Sequence, residues 1–129
     1  MQMNINGVAL NFSDEFGCWF LPSAVGGDEV MVAGSADAPN ASAAQLAQRI
    51  LAERDAFKQQ GARYLAAITR EKSDGWWCDG FHFLDGNQTF EQLMNHANDP
   101  YGYWLIKYQL IKIAGAESYD PYFFSREQY

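Results

Sequence analysis

The first 48 residues contain no lysine or arginine, and the whole chain has 9 such residues against 16 Asp and Glu. A protein of net charge −7 repels nucleic acid, because affinity there comes largely from basic side chains that neutralise phosphates. Histidine and cysteine are scarce too, at two each. Of these four only Cys78 and His82 lie at ligand spacing, and a structural zinc site needs a second such pair. No stretch approaches the ~20 consecutive apolar residues of a membrane helix. The opening segment Met1 to Gly7 lacks both a basic residue and an unbroken apolar run, so it does not read as a secretory signal. The expected compartment is the cytoplasm, with no membrane partner and no nucleic acid. No phosphate-cradling glycine loop and no Gly-x-Ser-x-Gly is present.

What is present is core material. At 129 residues, with 48% hydrophobic and 16% aromatic residues, the chain can offset its conformational entropy as a single domain over residues 1 to 129. Charge is unevenly placed. Residues 49 to 72 hold six bases against three acids, whereas residues 73 to 129 hold eight acids against three bases. Such a surface attracts a basic partner and speeds the encounter, although a modest negative charge also serves solubility alone.

Asn6-Gly7 predicts a two-residue hairpin that pairs Ile5 with Val8 and Met3 with Leu10. Ser13 to Gly17 reads as a turn, Cys18 to Leu21 as a strand stopped by Pro22, and Gly26 to Glu29 as a turn into Val30-Met31-Val32. Ser42 with Gln45 matches a capping box. Leu46, Ile50, Phe57, Tyr64, Leu65 and Ile68 then recur near helical period, which predicts one long helix over residues 43 to 69. Gly61 lies on that stripe. It either sits inside the helix or ends it after Gln60. Trp76 to Leu84 reads as extended, and Asp85-Gly86-Asn87 as a turn. Thr89 with Gln92 reads as a second capping box opening a short helix from Phe90 to about Asn98. Tyr101 to Ile113 is the clearest strand, with Trp104, Ile106, Tyr108 and Leu110 on one face. The apolar tail Tyr119 to Phe124 is expected against the sheet or as its edge strand. The order predicts an α+β domain, an antiparallel sheet packed on one long helix plus a short one.

No complete catalytic site can be read, so neither enzymatic activity nor a cofactor is expected. Cys78 and His82 have metal-ligand character but stand alone. Asp85-x-Asn87-x-Thr89 begins like a calcium loop, yet lacks its glycine and its glutamate. Both cysteines neighbour large aromatics, as reduced core thiols do. Asp74, Asp79 and Asp85 flank Trp76-Trp77 and Phe81-His82-Phe83, which fits a core strand with acidic ends or a sugar-stacking groove. A third reading joins exposed aromatics as anchors to carboxylates complementary to a basic partner.

Thr89-Phe90-Glu91-Gln92-Leu93, followed by Tyr103-Trp104-Leu105-Ile106-Lys107-Tyr108 after an alanine-rich helix, resembles small bacterial immunity proteins of polymorphic and contact-dependent toxin systems. The resemblance covers residues 43 to 113 and lies in pattern and size. It implies a non-enzymatic inhibitor that binds a cognate toxin domain, a basic protein such as a nuclease. The candidate contact residues are Asp74, Asp79, Asp85, Glu117, Asp120 and Tyr122. The competing expectation is a carbohydrate or small-ligand module built on Trp76 and Trp77.

Overall fold

Asn6 and Gly7 adopt φ of 49° and 82°, as a tight hairpin turn requires. Strand β1 (Gln2–Ile5) therefore folds back on β2 (Val8–Ser13), with Ile5 opposite Val8 and Met3 opposite Leu10. The computed structural model describes residues 2 to 23 and 28 to 129. Gly26 and Gly27 of the expected second turn lie outside them. Strands β3 (Cys18–Leu21) and β4 (Glu29–Ala33) continue the meander.

From β4 the chain crosses over through α1 (Ala41–Ala52) and α2 (Arg54–Thr69), then enters β5 (Trp76–Phe83) parallel to β4. Strands β6 (Thr89–His96), β7 (Gly102–Ile113) and β8 (Ala116–Gln128) complete it as antiparallel neighbours. The result is one eight-stranded sheet in sequential order β1 to β8. Among the described residues, no helix is long and apolar enough to cross a membrane.

Four expectations need correction. The sheet is mixed, because a crossover through two helices returns the chain in the same direction and so delivers a parallel pair. The long helix is two helices, broken at Glu53, which has φ −118° and ψ 26°. On the apolar stripe the turn between Ile50 and Phe57 would need inward side chains at 53 and 54, but those are Glu53 and Arg54. Burying two charges costs far more than a break in the backbone ladder. The first helix is capped by Asn40, whose side chain accepts from the Ala43 N–H at 3.0 Å, rather than by Ser42.

The short helix over 90 to 98 is also overturned: residues 89 to 96 form β6, an interior strand of the sheet. Its inward residues are Phe90, Gln92 and Met94, and the polar Gln92 disguises the strand alternation. Gln92 is fully buried, donating to the Phe57 carbonyl at 2.9 Å and accepting from the Tyr108 hydroxyl at 2.6 Å. A buried amide needs such partners. Gly61 lies within α2 directly over this side chain, and a Cβ there would overlap Gln92 Oε1.

The helices cover one face of the sheet. Between them and the strands lie Leu10, Trp19, Val32, Phe83, Phe90 and Tyr108, with Leu46, Ile50, Phe57 and Leu65 from above. Phe90 stacks on Tyr108 with centroids 4.6 Å apart, and Phe57 meets both rings edge-on. Side chains alternate across a strand, so the other residues of these strands line the face that no helix covers.

Candidate functional site

That uncovered face is neither flat nor purely polar. Cross-strand neighbours Phe20 and Met31, then Leu93 and Leu105, place apolar side chains across it from β3 to β7. They are half-buried although, among the described residues, no helix overlies them. Around them Phe16, Tyr103 and Tyr129 raise walls about a groove of about 580 Å³. Phe16 comes from the β2–β3 turn and packs edge-on to Phe20 at 5.0 Å. Tyr103 and Tyr129 lie 5.6 Å apart.

The polar groups of the groove are acceptors and one imidazole. A β-bulge between Cys78 and Gly80 inverts the phase of β5. Cys78 thus pairs with Met94 on the helix side, while His82 pairs with Glu91 on the uncovered side. His82 Nε2 lies 2.7 Å from Glu29 Oε2, brought in by the neighbouring β4. Asp79 accepts from Trp77 Nε1 at 3.1 Å and from the Asn95 amide. Partial burial holds the Asp79 carboxyl above its ordinary range, the Trp77 hydrogen bond opposes it, and the negative charges of Asp28 and Glu29 add to the rise. Asn95 is 7% exposed, yet its Oδ1 has only a 3.4 Å contact from the Tyr129 hydroxyl. Among the described residues, no lysine or arginine lines the groove. His82 also lines a smaller adjoining pocket of about 160 Å³, bordered by Asp85, Glu91, Lys107 and Tyr122.

The six candidate contact residues are divided by the fold. Asp79, Asp85 and Tyr122 border these two connected hollows. Asp120, opposite Gln109 on the edge strand, lies on the same face and accepts from Ser118 Oγ at 3.0 Å. Glu117 stands apart on the helix side. Arg49 of α1 bonds it at 3.1 Å and Lys112 lies 3.6 Å away, and the Arg49 hydrogen bond holds its carboxyl below the usual range. Asp74 lines a separate cleft of about 550 Å³ with Lys58, Arg63 and Trp77. Trp76 is 7% exposed and packs edge-on to Trp104, whereas Trp77 is 48% exposed. The two indoles therefore do not form one stacking platform.

Glu29, Asn95, Tyr103 and Tyr129 were not singled out from the sequence. The signal was in β7, where Tyr103 and Leu105 occupy positions that a solvated strand face would give to polar residues. Glu29 became a site residue only through the parallel pairing.

Nucleophilic chemistry has little support here. Both cysteines are free, and β4 separates their strands: Cys18 pairs with Ala33 at one end, and Cys78 lies beyond the Glu29–Gly80 pair at the other. Burial pushes the Cys78 thiol up to about 12 and also raises Cys18, so neither supplies thiolate at neutral pH. Among the described residues, no three His, Cys, Asp or Glu side chains gather as a metal site would require. No protein-family model, curated protein or solved structure matches the chain.

Proposed function

We propose that this chain is an immunity-type inhibitor, a non-enzymatic protein that neutralises a basic toxin domain in the cytoplasm by laying its uncovered sheet face against it. The observation that carries this reading is the face itself. It combines partly exposed apolar and aromatic side chains with Glu29, Asp79, Asp85, Glu91 and Asp120, against Lys107 and the Glu29-bonded His82. Protein interfaces draw their anchors from such aromatics and their specificity from opposed charge. A second copy of the chain would set carboxylates against carboxylates, so charge favours a basic partner. A nuclease, whose substrate site is basic because it holds phosphates, fits that description.

The test begins with the neighbouring gene, which this reading predicts to encode a large secreted protein with a toxic C-terminal domain, and proceeds to co-expression with that domain. The chain should rescue growth, and the purified pair should associate more slowly as ionic strength rises, because salt screens the steering charges. Absence of both rescue and complex would reject the proposal. The competing reading, a glycan bound at the separate Trp77 cleft, requires saturable quenching of tryptophan fluorescence by a sugar with almost no salt dependence.

A further inference from the structure

We infer that the groove beneath Tyr103 and Tyr129 is a subsite for one arginine side chain of the protein partner, an inference that rests on the docking reading above and gives it a chemical anchor. Three features of the groove converge on a guanidinium. Its polar equipment is rich in acceptors: the Asp79 carboxylate, the underused Asn95 carbonyl and Glu29. Asp79 has no cationic partner among the described ion pairs; its bonds come from the neutral Trp77 and Asn95. The walls are aromatic rings, on which a planar guanidinium stacks while its fork of N–H groups reaches carboxylate and carbonyl oxygens.

Each alternative occupant fits less well. An anion would meet two carboxylates, with no lysine or arginine among the described lining residues to receive it. A purely apolar side chain would leave Asp79 and Asn95 desolvated without new partners, at the cost of an unmade hydrogen bond. A lysine ammonium would satisfy the charge but, as a compact point donor, would use the ring walls poorly. His82 belongs to this arrangement as well, since its bond fixes the Glu29 carboxylate at the groove edge.

The experiment uses the intact chain and three capped hexapeptides, all arginine, all lysine and all serine, followed by amide NMR. The arginine peptide should shift Leu93, Asn95, Tyr103 and Leu105, and should bind at least about fivefold tighter than the lysine peptide. Asp79→Asn should weaken it by about tenfold, or 1.4 kcal/mol. Glu117→Gln, already ion-paired on the other side of the sheet, should leave it unchanged. Asp79→Asn keeps only one of the two acceptors that Trp77 and Asn95 use, so its fold is checked by urea unfolding beside the titration; Glu29→Gln provides a second variant with the same expected loss. Equal binding of the lysine peptide, shifts confined to other surfaces, or full affinity in both variants would overturn the inference. The docking reading is judged separately by Leu105→Arg and the cognate partner. If the peptides fail while Leu105→Arg still abolishes that complex, only the arginine subsite is lost.

Discussion

Alanine at position 61 should lower the unfolding free energy by about 2 kcal/mol, although glycine-to-alanine within a helix ordinarily adds about 1 kcal/mol. The difference comes from Gln92. Its amide is fully buried and held from two sides, by the Phe57 carbonyl and the Tyr108 hydroxyl. It cannot move away from a new Cβ without leaving polar atoms unpartnered, at about 1–3 kcal/mol each. Overpacking of this kind costs about 1–3 kcal/mol where the neighbour cannot relax. Gln92→Ala alone should also destabilise, since it orphans Tyr108 and leaves a void. On that background, however, Gly61→Ala should be neutral or stabilising. Urea unfolding of the four proteins reads the coupling directly. A stabilising Gly61→Ala in the parent protein would mean that α2 does not lie on β6 as described.

The same residues explain what could and could not be read in advance. The β1–β2 hairpin was legible because Asn6-Gly7 fixes both turn type and register locally. The strand over 101 to 113 was legible because Trp104, Ile106, Tyr108 and Leu110 alternate without interruption. Residues 89 to 96 were misread because Gln92 mimics a capping residue locally while its real partners lie at Phe57 and Tyr108, far away in sequence. The helix break was marked in the sequence, but by charge at inward positions rather than by glycine or proline. The parallel β4–β5 pair carries no local signal, since it depends on how the crossover returns. Legibility of the site followed the same division. Asp79, Asp85 and Tyr122 stood out as acids and aromatics near turns, whereas Glu29, Asn95 and Tyr129 gather only when β4, β6 and the chain after β8 are side by side.

Leu105→Arg should weaken the complex with the proposed toxin partner by at least about 100-fold, roughly 2.7 kcal/mol, while changing stability by less than about 1 kcal/mol. Leu105 is half-buried near the middle of the uncovered face, so an arginine there brings both bulk and the positive charge that the proposal gives the partner. Loss should appear mainly as faster dissociation, because a central contact is broken. Asp120→Asn, nearer the edge, should instead slow association and do so chiefly at low salt. Ala52→Arg, exposed at the end of α1 on the opposite side, should leave affinity intact. Equilibrium binding and stopped-flow kinetics of the three variants separate these roles.

The most direct measurement of which surface binds is methyl NMR of the chain titrated with that toxin domain. Met31, Leu93 and Leu105 report the uncovered face. Ile68 on α2, which is 42% exposed, and the exposed Ala52 at the end of α1 report the helix-covered side. Use of the sheet face predicts that the Met31, Leu93 and Leu105 methyls shift or broaden while Ile68 and Ala52 stay in place. Perturbation of Ile68 or Ala52 with the other three unchanged would contradict it.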